Sequence, residues 1–148
     1  MLRMLTNLNM VHRFDVTAAA GLLASGYTGA WVRKNSDTLD YVSATGKFAL
    51  GCVWNESNRD GTAGFTPDTR AVASGGTGKL TVVYGKFRAL TDQFTGTPAV
   101  GDELYVTTAG VLTSTAAGDE FVVGYCTKAS HSLTHLNTSH TVIEYVTV

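Results

Sequence analysis

The segment 141–148 (TVIEYVTV) constrains this chain more than any other stretch, because every residue in it except Glu144 is β-branched or aromatic. Branching at Cβ crowds the preceding turn of a helix but packs well on a pleated surface. Alternation along a strand sends Val142, Glu144, Val146 and Val148 to one face, and Thr141, Ile143, Tyr145 and Thr147 to the other. Apolar residues stand on both faces, so a strand covered on both sides is expected here.

The same pattern recurs along the chain, cut by turns drawn from 16 glycines and only 2 prolines. Residues 12–16 alternate as a first strand. Residues 30–34 (AWVRK) and 38–43 (TLDYVS) flank a 35–37 turn, a hairpin pattern. In 48–54 (FALGCVW), Phe48, Leu50, Cys52 and Trp54 share one face, with small Ala49 and Gly51 beside Val53 on the other. A small-residue face predicts close approach of a neighbouring backbone. Residues 80–84 and 86–90 read as strands split by Gly85, a bend or a bulge. Residues 103–107 and 111–115 form a hairpin across Ala109-Gly110, and 121–128 (FVVGYCTK) is a further strand. One short helix candidate exists at 17–25, with Thr17 as its N-cap, and Gly21 inside it weakens that reading. The polar stretch 55–78 reads as one long loop, with room for a short strand at 71–73. Strands never alternate with helices, which excludes the parallel nucleotide-binding folds. The expected fold is all-β: a compact antiparallel β-barrel or sandwich, with 1–11 as an N-terminal arm and 12–148 as a single β-domain. At 148 residues such a domain can bury a self-sufficient core.

Charge narrows the function. Only 16% of residues are charged, against about 25% in average proteins, so part of the surface is expected to lie under a partner. The net charge of −1 and the scattering of 11 Lys and Arg argue against nucleic acid, which needs clustered cations. No stretch approaches the roughly 20 apolar residues of a membrane span. Residues 1–11, interrupted by Arg3, Asn7 and Asn9, lack the apolar core and cleavage site of a secretory signal, which points to synthesis in the cytoplasm. Cys52 and Cys126 lie in apolar runs and read as buried reduced thiols, a disulfide between them remaining open.

The motifs that suggest chemistry are incomplete. Gly75-Gly76-Thr77-Gly78-Lys79 resembles a phosphate loop, but Ala73 and Leu80 occupy positions that need Gly and a hydroxyl. Glu56, Asn58, Asp60 and Gly61 begin like a calcium loop, and Pro67 stands where the closing carboxylate belongs. His131, His135 and His140 lie in a Ser- and Thr-rich segment that reads as a solvent or interface loop. On a helix, His131 and His135 would share a face able to hold a metal. No nucleophile elbow occurs, and the pairs Asp102-Glu103 and Asp119-Glu120 would point to opposite faces of a strand. Asn137-Thr138-Ser139 fits a glycosylation sequon, with nothing to indicate secretion. No catalytic residue, cofactor or metal is expected, and the chain does not read as an enzyme. Trp31 and Trp54 fit a core better than an interface.

Three segments carry a family resemblance: Val100-Gly101-Asp102-Glu103-Leu104-Tyr105-Val106, then Ala109-Gly110-Val111-Leu112-Thr113, then Val122-Val123-Gly124-Tyr125-Cys126. Phe48-Ala49-Leu50-Gly51-Cys52-Val53 plays a similar part earlier. In this organisation the chain resembles the capsid decoration, or cement, proteins of tailed bacteriophages. The resemblance implies a compact β-protein, a homodimer or homotrimer, on the outer capsid surface of the virion. There it would clamp neighbouring subunits of the major capsid protein lattice. Its expected contacts are Met1, Leu2, Arg3, Met4, Leu5 and Met10 in the arm, and Asn55, Asn58, Arg59, Phe65 and Arg70 in the long loop. A head-fibre or carbohydrate-binding β-module of a virion is the alternative, with Asn55 to Asp60 beside Trp54 as its binding place.

Overall fold

A computed structural model of the chain describes residues 2–5, 12–17, 29–35, 38–41, 49–54, 79–118, 121–135 and 137–148. Among them there is no helix. The strands are β1 (Leu2–Met4), β2 (His12–Thr17), β3 (Trp31–Asn35), β4 (Thr38–Tyr41), β5 (Gly51–Trp54) and β6 (Lys79–Tyr84). They continue with β7 (Arg88–Thr91), β8 (Phe94–Thr95), β9 (Glu103–Val106), β10 (Leu112–Thr113), β11 (Gly124–His135) and β12 (Thr138–Thr147). They form a seven-stranded sheet, ordered β1-β7-β12-β11-β9-β10-β8, and a five-stranded sheet, ordered β2-β6-β5-β3-β4. Every pairing is antiparallel except the short β8–β10 contact. The fold is all-β, as expected, and its two sheets do not close into a barrel.

Local chemistry explains the joints. Gly85 adopts φ 86°, a conformation that costs a side chain dearly, and there the chain leaves the five-stranded sheet for the seven-stranded one. The expected bend or bulge at Gly85 is therefore a crossing between sheets. β3 pairs antiparallel with β4, Asn35 standing opposite Thr38, while residues 36–37 lie outside the described residues; Gly110 (φ 77°) closes the β9–β10 hairpin. Thr17, read as a helix N-cap, is the last residue of β2 and pairs with Lys79. Residues 18–28 lie outside the described residues, as does the whole loop 55–78.

One apolar core lies between the sheets. Trp31, Cys52 and Val83 come from the five-stranded sheet and meet Phe87, Leu104, Val106, Leu112, Ile143 and Tyr145 around the seven-stranded one. Tyr145 packs its ring edge against Phe87, with centroids 6.1 Å apart, and tilts against Trp31 at 6.4 Å. The Trp31 amide donates to the Gly110 carbonyl at 2.8 Å, tying the second sheet to the β9–β10 turn. Trp31 is thus a core residue, as its strand position suggested.

Candidate interaction face

The face of the seven-stranded sheet turned away from this core gathers its charge. Residues paired across strands share a face, and one row runs Arg88, Val146, Tyr125, Glu103 over β7, β12, β11 and β9. The next row runs Leu90, Glu144, Lys128. Glu144 stands at the centre. Its Oε1 lies 3.4 Å from Lys128 Nζ and 3.8 Å from His131 Nε2, and its Oε2 lies 3.8 Å from Arg88 Nη2. Arg88 and Lys128 are more than half exposed, so water screens these pairs and each contributes little to stability. They gather a mixed-charge patch on the face that also carries Tyr125, which is 40% exposed.

Further along, Asp92 Oδ2 lies 3.1 Å from His140 Nδ1. Between these polar groups Leu90 and Val142 are buried, with Leu133 packed against them. At the other end the Tyr105 hydroxyl donates to Glu103 Oε2 at 2.6 Å. Exposed apolar side chains flank the face at Val100 (67%) and Phe121 (51%).

Of the expected contact residues, the structure describes Leu2, Arg3, Met4 and Leu5. Leu2, Arg3 and Met4 form β1, an edge strand on β7, with Arg3 opposite Leu90. This part of the arm is built into the sheet edge. Leu5 is 41% exposed, and its amide donates to the Arg88 carbonyl at 2.8 Å. Leu5 therefore stands beside the charged row. Met1, Met10, Asn55, Asn58, Arg59, Phe65 and Arg70 lie outside the described residues. So do Trp54's side chain and the loop that resembles a calcium site. Arg88, Tyr125, Lys128, His131 and Glu144 were not singled out from sequence as contacts. The available clue was Glu144, a lone carboxylate on an otherwise apolar strand face.

The histidine segment corrects an expectation. Neither a loop nor a helix, it forms the paired ends of β11 and β12, with His131 opposite Val142 and Leu133 opposite His140. The hairpin turns at Asn137, the one described non-glycine residue with positive φ, at 64°. On a strand, residues four apart stand roughly 13 Å from each other, too far to share an ion. Among the described residues no group of three His, Cys, Asp or Glu could hold a metal.

Both cysteines are free and buried. Burial pushes the Cys52 thiol up to about 12, although a hydrogen bond from Tyr145 partly favours its thiolate. Burial likewise raises Cys126, whose Sγ donates to the Lys128 carbonyl at 3.4 Å. Neither is an activated nucleophile. Asp102 serves a turn: its carboxylate accepts from the Ala99 amide at 2.9 Å, and its own amide donates to the Ala99 carbonyl at 3.1 Å. An apolar cavity of about 270 Å³ opens between the sheets, lined by Trp31, Tyr84, Phe87, Val123 and Val148 among others.

The fold is a two-sheet β-scaffold, and this face of it carries mixed polar, charged and aromatic side chains. No protein-family model matches the chain, and no curated protein or solved structure matches it.

Proposed function

We propose that this chain is a virion structural protein that binds the outer surface of a tailed-phage head and clamps neighbouring major capsid subunits. The observation that carries the reading is the charged face of the seven-stranded sheet. There Arg88 and Lys128 meet Glu144, exposed Tyr125 stands in the same row as Arg88, and Leu5 of the arm is hydrogen-bonded alongside. The segments that resemble decoration proteins build this same sheet: β9, β10 and the start of β11. A face that combines ion pairs with an exposed tyrosine suits a protein–protein contact, in which aromatic and Arg side chains are enriched. Many equivalent contacts of modest strength, repeated over the lattice, raise the free energy needed to part adjacent subunits. The low share of charged residues, 16%, fits a surface partly covered in its working state.

The first test is the copy number of the chain in purified particles. A fixed ratio near one per major capsid subunit supports the reading, whereas absence from particles ends it. The second test is attachment to expanded heads. Tyr125→Ala combined with Arg88→Ala is expected to weaken attachment at least tenfold while leaving the melting temperature nearly unchanged. Undiminished attachment would move the contact to another surface.

A further inference from the structure

The ends of β11 and β12 run past their neighbours and leave an edge of β11 with no partner strand among the described residues. β9 pairs with β11 only around Gly124 and Tyr125, where the Cys126 amide also bonds to the Asp102 carbonyl. β9 begins at Glu103, so this contact goes no further along β11, whose pairing with β12 shifts register between Cys126 and Lys128 and between Lys128 and His131. From His131 to His135 the pairing with β12 is regular again, and among the described residues no strand lies on the other side. Alternate N–H and C=O groups along such an edge point outward, ready to receive another strand.

Among the other sheet edges, β8 is only two residues long, and the sequences of β1, β2 and β4 include Arg3, Arg13, Asp15 and Asp40. Short strands and charged side chains are how natural sheets discourage edge pairing. The β11 edge has neither guard, since no Asp, Glu, Lys or Arg occurs between Lys128 and Glu144. Ser132 and Thr134 are exposed, and Leu133 is half-buried.

We infer that the free edge of β11 over residues 131–134 is a self-association site, where a second copy of this chain adds its own β11 antiparallel about a two-fold axis. The occupant follows from complementarity. A two-fold contact places a surface against itself, so a charged strand would oppose like charges. This one carries no fixed charge. Centred on Ser132, the pairing sets His131 opposite Leu133 on one face and hydroxyl against hydroxyl on the other. The two seven-stranded sheets become continuous through main-chain hydrogen bonds. The inference does not rest on the virion reading, and it is tested on the purified chain alone.

Sedimentation equilibrium of the full chain over a hundredfold concentration range is expected to show monomer and dimer only. Ser132→Lys with Thr134→Lys, placing cations on the edge, is expected to raise the dimer dissociation constant at least tenfold with the melting temperature of the monomer unchanged. Thr97→Lys, exposed elsewhere, is expected to change nothing. A strict monomer or a trimer overturns the inference, and so does a dimer indifferent to the edge lysines. Should the double variant misfold, hydrogen exchange of the unaltered chain decides. Amides of residues 131–134 gain protection as concentration rises if the pairing exists, and unchanged exchange in the dimer refutes it.

Discussion

Thr147 shows how much one side chain does here. Its hydroxyl donates to the Gly85 carbonyl at 2.5 Å and accepts from the Phe87 amide at 2.8 Å, pinning the crossing between the sheets to the end of β12. Thr147→Val keeps the shape but strands two backbone groups, so a loss of about 1–3 kcal/mol in urea unfolding is expected. A loss near zero would mean that water replaces the hydroxyl. Cys52 and Tyr145 form a second residue-scale device. Their thiol and hydroxyl are hydrogen-bonded to each other in full burial, and burial raises both above their ordinary values. The unfolded chain ionises first as pH rises, binding fewer protons than the native state, so stability is full below about pH 9 and falls above it. The urea midpoint is expected to drop between pH 8 and pH 10, and Cys52→Ala should flatten part of that drop. Cys52 should also resist thiol reagents at pH 8 until the protein unfolds. The apolar setting of both cysteines was legible in the sequence. Tyr145 as the partner of Cys52 was not, because 93 positions separate them.

At the scale of elements, two glycines decide how closely strands approach. A Cβ at Gly124 would collide with the Val146 carbonyl, and one at Gly51 with the Val83 carbonyl. Both sites were readable as close-packing positions from their small size amid bulky strand neighbours. Gly124→Ala is expected to cost about 1–3 kcal/mol, because backbone and not a flexible side-chain end must give way. An unchanged Tm would show that the β11–β12 pair can slide. The β11–β12 hairpin turns on Asn137 at φ 64°, where Gly is at ease and a β-branched residue is strained. Asn137→Gly should therefore be silent, and Asn137→Val should lower Tm by several degrees. The hairpin itself was missed in the sequence, since Ser, Thr and His resemble a loop by composition. Thr is β-branched, however, and cross-strand pairs such as Ser132–Thr141 satisfy their backbones whatever the side-chain polarity.

For the whole molecule, the shared core makes one cooperative unit out of two sheets. Trp31 from one sheet packs on Tyr145 from the other, so tryptophan fluorescence and far-ultraviolet dichroism are expected to report the same unfolding transition. Separate midpoints would mean that the sheets unfold independently. By itself the sequence determined the secondary-structure class, most strand positions, the pairing of β3 with β4, the turn at Ala109-Gly110, and the burial of both cysteines. These follow from alternation, Cβ branching and glycine placement, all of which act over a few residues. Only the tertiary structure decided that the chain changes sheets at Gly85, that Leu2–Met4 closes an edge beside β7, and that Glu144 collects Arg88, Lys128 and His131. Each of these joins positions far apart in the chain. Which strands become neighbours depends on how all the apolar faces can be buried together, a condition that no local pattern carries.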